Sequence, residues 1–250
     1  MNSYPGGKSG AGVFQRLINL IPPHDVLVVP FAGHCGVVQN IRPADQTIVI
    51  DRDERVCHWW DTWRRSRRGR SIEIHHGDGI EFLRYRFDAT AFRARGPGPA
   101  RCSAAATPKA ASKYSNVFVF CDPPYVMTSR SGGAIYRYEM NLNQHADLLA
   151  VVNAISVNVM LCGLPSALYA DRLKWPSVPN RVPTRRGIQN ELVWMNYQIG
   201  DRLHDHQYLG SCRRSRERIR RRQANWRKQL EQMTPHECAA MLDVLNGVNQ

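Results

Sequence analysis

No Cys-x-x-Cys pair occurs in this chain, although seven cysteines do: Cys35, Cys57, Cys102, Cys121, Cys162, Cys212 and Cys238. Scattered and odd in number, they fit reduced thiols and exclude a disulfide framework or a zinc ribbon as the organising principle. The histidine clusters, His75-His76 and His204-x-His206, have no Cys or carboxylate partners at metal spacing, so no metal is expected. No apolar run approaches the ~18 residues of a membrane span, and no basic segment leads into an apolar stretch at the start. The expectation is a soluble, unsecreted, cytoplasmic protein. GxGxxG and GxxxxGK[ST] are also missing, which argues against a conventional dinucleotide site and a phosphate-cradling loop. Acid is scarce as well: 21 Asp+Glu stand against 34 Lys+Arg, a formal net charge of +13. That imbalance suits a polyanionic partner, nucleic acid first and an anionic membrane surface second.

What is present is an ordinary globular composition, 43% hydrophobic and 22% charged over 250 residues, enough for one main core. Val13, Leu17, Ile18 and Ile21 mark one helix face, stopped by Pro22-Pro23. "DVLVVP" reads as a buried strand running into the turn "FAGHCG". "TIVI" (Thr47 to Ile50) is a second strand closed by Asp51. "VCHWWDTWRR" is a helix with Val56, Trp60 and Trp63 at i, i+4 and i+7. "SIEIH" is a third strand, turning through "GDG" into another helix. This repetition of strand, turn and helix predicts a parallel sheet covered by helices. Segment 92–112, rich in Ala, Pro and Gly, is expected to be a flexible insert. A fourth strand, "NVFVF", a helix, "HADLLAVVNAI", and a fifth strand, "VNVMLCG", follow. Pro165 to Gly187 reads as connection, and Glu191 to Tyr197 ("ELVWMNY") as a late strand. Arg213 to Lys228 is a basic helix with nine Lys/Arg and one acid, Glu217. In "TPHE", Thr234, Pro235 and Glu237 have the spacing of a capping box.

Ligands of an open parallel sheet bind outside the carboxyl ends of its strands. Gly33, Asp51, Asp78 and Asp122 follow the first four strands in turn. Asp51 lies 18 positions after Gly33, near the ~20 expected of an acid that takes ribose hydroxyls, so a nucleoside-containing ligand is implied. In "DPPY", Pro123 and Pro124 stiffen the loop and leave carbonyls without N–H groups. Asp122 adds an acceptor-only carboxylate and Tyr125 a flat face. Such a site suits a planar molecule bearing a double donor, as an exocyclic amine on a nucleobase does. Acceptance of both hydrogens frees the nitrogen lone pair for attack.

Together "YPGGK", "PFAG", "IDRD", "CDPPY" and the late "TRRG…ELVWMNY" resemble the Dam-like (D12 class) DNA adenine-N6 methyltransferases, in particular compact phage and prophage forms. The likeness runs from Tyr4 to the C-terminal basic segment. It implies a Rossmann-like, S-adenosylmethionine-dependent methyltransferase fold: a mostly parallel α/β sheet with an antiparallel late strand and a basic helical C-terminal extension. The catalytic domain would span 1–200 and the extension 201–250. The implied cofactor is S-adenosylmethionine, with Tyr4 and Lys8 at its methionine end, Phe31 and Gly33 lining it, Asp51 on the ribose and Asp78 near the adenine ring. Asp122, Pro123, Pro124 and Tyr125 would hold the target adenine. The family's F-x-G-x-G is altered, with Cys35 at the second glycine and Gly36 one place later. No large target-recognition domain precedes DPPY.

The implied partner is double-stranded DNA, bound by a monomer in a bacterial cell or phage-infected host, with or without a restriction partner. Base flipping costs roughly a few kcal/mol, which backbone contacts must offset. Arg130, in a loop with Tyr136 and Tyr138, and Arg185, Arg186, Arg213, Arg214, Arg220 and Arg221 are the candidate DNA contacts. Blander readings stand beside these. Asp51 is also a possible helix cap, Asp78 a turn residue, Lys8 a loop lysine, the tryptophans core, and the basic helix a solvated face. Same-fold enzymes acting on cytosine N4 usually show Ser in place of Asp122, and RNA or protein-glutamine methylases usually show Asn, so the resemblance implies adenine over these alternatives. A non-catalytic DNA-binding relative is the remaining alternative.

Overall fold

A computed structural model describes residues 6–10, 12–66, 71–87, 116–130, 132–184 and 187–248. Segment 92–112, Tyr4, Arg185 and Arg186 lie outside the described residues. The chain divides into two compact units, Met1–Asp205 and His206–Gln250.

The first unit is built on a seven-stranded sheet: β1 (Val26–Val29), β2 (Gln46–Asp51), β3 (Ile72–His76), β4 (Val117–Cys121), β5 (Asn158–Gly163), β6 (Ser177–Thr184) and β7 (Gly187–Met195). Their order is β3-β2-β1-β4-β5-β7-β6. β1 to β5 run parallel, while β7 pairs antiparallel with both β5 and β6. This is the Rossmann-like α/β architecture with an antiparallel late strand that the sequence led us to expect.

The apolar runs explain why β1 and β4 are central. Val26 and Val28 pack with Ile48, Ile50, Leu148 and Leu149 on one side. Leu27 and Val29 are equally buried and project to the other side, because successive side chains alternate across a strand. A strand buried on both faces needs no polar alternation. Helix α1 (Val13–Ile18) precedes β1, and α2 (Gly36–Asn40), α3 (Glu54–Arg65), α4 (Gly79–Phe87), α5 (Leu142–Ala154) and α6 (Ala167–Arg172) lie between successive strands. Asp53 caps α3 by accepting the Arg55 N–H, and Trp60 on that helix is fully buried. Asn141 and Gln144 form a reciprocal capping box at the start of α5.

One expectation fails. The stretch read as connection between Pro165 and Gly187 contains α6 and all of β6. Pro179 and Pro183 hide the strand, since proline ordinarily argues against a sheet interior. β6 is the end strand, however, where a missing N–H costs nothing if it faces away from the neighbour. Only Asn180 on it is buried.

The second unit carries α7 (Arg213–Glu231) and α8 (Pro235–Val248). Before α8 the Thr234 N–H donates to Glu237 at 2.7 Å and the Glu237 N–H to the Thr234 hydroxyl at 3.4 Å, the reciprocal cap its sequence announces.

Candidate active site

Strand connections run in opposite directions from β1 and β4, so a crevice opens beside their carboxyl ends. A cleft of about 760 Å³, part of it open to solvent, lies there, and Phe31, Gly33, Asp51, Asp78, Asp122 and Pro124 line it. Six residues picked from four separate strand ends therefore share one cavity.

Its floor is the glycine turn after β1. Gly33 has φ 42°, in the left-handed region that favours glycine. Its N–H donates to Asp51 Oδ2 at 2.8 Å and its carbonyl accepts the Trp60 indole N–H at 2.7 Å. Asp51 Oδ1 accepts the Asp53 N–H at 2.8 Å. Burial raises the Asp51 pKa, and the backbone N–H bonds partly oppose that rise. Each oxygen keeps a lone pair for a ligand hydroxyl. Asp78 is both cleft wall and helix cap: Oδ1 accepts the Ile80 N–H at 2.7 Å and the Glu81 N–H at 3.2 Å, while Oδ2 pairs with Arg52.

The displaced glycine also has its explanation. The Gly36 N–H donates to the Gly7 carbonyl at 2.6 Å. A Cβ on Gly36 would stand 2.9 Å from the Gly7 and Lys8 carbonyl oxygens. Glycine is needed at 36 because the N-terminal loop docks there, whereas Cys35 is buried beside it.

That docking delivers Lys8. Its φ is 52° and it is only 6% exposed. Its ammonium contacts Asp122 Oδ1 at 2.9 Å, the Tyr125 hydroxyl at 2.5 Å and Glu191 Oε1 at 3.4 Å. Three donors thus meet three protein acceptors, which places Lys8 against Asp122. The Tyr125 hydroxyl donates to Asp122 Oδ1 at 3.3 Å, and Pro123 is buried beside them. Among the described residues no donor meets Asp122 Oδ2. Burial pushes the Asp122 pKa up to about 6, with Lys8 lowering it and Glu191 raising it. The Lys8 pKa, which burial alone would lower, is held above its ordinary value by Asp122 and Glu191.

Two members of this cluster were not anticipated. Glu191 on β7 is 2% exposed, and its Oε2 accepts from Asn180 Nδ2 at 3.3 Å. Asn180 Oδ1 in turn accepts from Arg16 Nε at 3.1 Å. The signal for Glu191 was an acid set among Leu192, Val193, Trp194 and Met195; Asn180 lies on the strand the prolines concealed.

Arg130 was expected to face DNA. Instead its side chain is 6% exposed and donates twice to Glu139, at 2.9 and 2.8 Å. Glu139 also accepts the Ile135 and Tyr136 N–H groups at 2.8 and 3.0 Å. Arg130 therefore folds the loop that brings Tyr136, Arg137 and Tyr138 to the cleft. Arg213, Arg214, Arg220 and Arg221 are exposed on α7. Among the described residues no cluster of three or more His, Cys, Asp or Glu could hold a metal, and no helix is long and apolar enough to cross a membrane.

No family model and no curated protein matches this sequence. Solved structures with similar topology include precorrin 8w decarboxylase from Methanobacterium thermoautotrophicum (TM-score 0.41, 10% identity, 75% of this chain and 91% of that one). TrmK from M. capricolum, in complex with S-adenosyl-homocysteine, has a TM-score of 0.39 at 12% identity, covering 94% of this chain and 93% of that one. A methyltransferase from Geobacter sulfurreducens has a TM-score of 0.35 at 16% identity, with 72% and 76% covered. Likeness at this level does not bear on chemistry, which rests on the site itself.

Proposed function

We propose that this protein is an S-adenosylmethionine-dependent methyltransferase that methylates adenine N6 in DNA. The observation that carries the reading is the position of Asp122. It sits in Asp-Pro-Pro-Tyr at the end of β4, on the wall of the same cleft that holds Asp51, with Oδ1 engaged by Lys8 and Tyr125. The cleft's residues suit the cofactor. Asp51 offers acceptors to a ribose diol, Phe31 an apolar face, and Asp78 a carboxylate near a purine edge.

When bound, S-adenosylmethionine supplies an electrophilic methyl group on a good leaving group. Asp122 Oδ2 and the Pro123 carbonyl accept the two amino hydrogens of the target, withdrawing the nitrogen lone pair from ring conjugation. Lys8 and Tyr125 fix the carboxylate's rotation, so that its second oxygen has one direction to offer. With its pKa near 6, Asp122 is ionised at neutral pH yet basic enough to receive the proton the amine sheds, before passing it to water. The exposed arginines of α7 supply phosphate contacts toward the cost of flipping the base.

The test is methyl incorporation from labelled S-adenosylmethionine into unmethylated duplex DNA and into RNA, followed by nucleoside mass analysis, with Asp122→Ala as control. N6-methyladenine from DNA, absent in the variant, is the expected result. Label in cytosine or RNA overturns the substrate, and cofactor binding without transfer to any acceptor overturns the activity.

A further inference from the structure

The cluster around Asp122 holds one more charge than orienting that carboxylate requires. Lys8 pairs with Asp122 at 2.9 Å, which alone would make a neutral buried pair. Glu191 adds a second carboxylate to the same ammonium at 3.4 Å, from a strand 183 positions along the chain. The side chains of Lys8 and Glu191 are each only 3% exposed. Burying an additional carboxylate is costly unless its oxygens are satisfied, and here both are, by Lys8 and by Asn180. Asn180 is itself 2% exposed and tied at 3.1 Å to Arg16 on α1, so the linked side chains reach from the helix that follows the N-terminal loop to the reactive carboxylate.

We propose that Glu191 is a positioning residue for Asp122, acting through Lys8: it draws the ammonium partly away, leaving the Asp122 carboxylate basic and its outer oxygen available to an amine donor. This rests on the proposed methyl transfer for its purpose, though its physical content concerns the free protein. Were Lys8 to face Asp122 alone, the full cationic field would fall on that carboxylate and depress its basicity, since an opposite charge within ~4–6 Å commonly lowers a carboxylate's pKa by about one to three units. Burial raises the Asp122 pKa and Lys8 opposes the rise, while the Glu191 charge adds to it. The remaining titratable groups coupled to Asp122 are the thiols of Cys35, Cys121 and Cys162 and the phenols of Tyr125, Tyr136 and Tyr169. All are pushed above their ordinary values by burial and are neutral near pH 7. Glu191 is thus the other anion in the cluster among the described residues.

The test is direct titration of the Asp122 carboxyl by carbon-13 NMR of protein labelled at the aspartate carboxyl carbon. Asp122→Asn identifies the signal. Glu191→Gln, which keeps shape and removes charge, should move the Asp122 midpoint down by about one unit. Glu191→Asp should restore most of it. Asn180→Ala, on an end strand, serves if Glu191→Gln does not fold; freeing Glu191 Oε2 should strengthen the carboxylate's hold on Lys8 and move the midpoint upward. In single-turnover methyl transfer the acid limb should follow the same shifts, with S-adenosylmethionine affinity unchanged within twofold. An Asp122 midpoint that is the same in wild type, Glu191→Gln and Asn180→Ala overturns the inference, whether or not DNA is methylated. Shifted midpoints in a protein that methylates nothing leave the inference standing and remove the proposed function instead.

Discussion

At the scale of single residues, the site depends on two carboxylates in contrasting surroundings. In the proposed methyl transfer, Asp122 is ionised when it accepts hydrogen bonds from the target amine. Its pKa near 6 therefore makes the rate constant fall tenfold per unit as pH drops below that value, in a single-turnover pH series. Asp122→Asn should retain the fold but lower the rate by ~10²–10⁴, the range of a lost acid–base group, and should abolish the acid limb. Asp51 is fixed by two backbone N–H groups. Asp51→Ala should weaken cofactor binding by about 10–100-fold by calorimetry, because it removes both the ligand's acceptor and the anchor of Gly33. Both acids are legible in the sequence, each announcing itself by closing an apolar run. Glu191 and Asn180 are not. Nothing local says that Glu191 will meet Lys8, since the meeting requires β7 to lie beside β5 and the N-terminal loop to dock on Gly36.

At the scale of elements, β1, β2, β4 and β5 were readable because strands buried on both faces are nearly continuously apolar, and β3, at the other end of the sheet, because its apolar residues alternate with polar ones. β6 was not, because it carries neither pattern and its prolines imitate a loop. The N-terminal loop gives a prediction of its own. Gly36→Ala should force the Gly7–Lys8 backbone outward, costing about 1–3 kcal/mol in urea unfolding and lowering methyl transfer through Lys8. The arginines of α7 were legible by composition alone. Replacing Arg213, Arg214, Arg220 and Arg221 with Gln should flatten the plot of log K against log salt for duplex DNA by about 0.9 for each phosphate no longer neutralised. An unchanged slope assigns that helix face to solvent.

At the scale of the molecule, acid stability follows from a buried histidine pair. The rings of His24 and His204 stack with centroids 3.7 Å apart. His204 accepts the His24 backbone N–H at Nδ1, 3.4 Å away, and faces the Arg42 carbonyl with Nε2 at 2.9 Å. These partners fit the neutral tautomer with its proton on Nε2. Burial lowers both pKa values, that of His24 to about 3. Because the folded values are depressed, the unfolded chain takes up protons first as pH falls below about 6.5. Stability is therefore fully present above that pH and is lost progressively towards pH 3, which thermal melts across pH 4–8 would show. Asn at both positions should flatten the decline. The hidden end strand has a consequence of another kind. In β6 the residues at 177, 179, 181 and 183 present their backbone away from β7. Two of these are prolines, and the carbonyl of a third, Arg181, is taken by the Arg16 guanidinium. A foreign strand arriving there finds no ladder to join, so at high concentration this end of the sheet should resist the edge-to-edge polymerisation that an open strand invites.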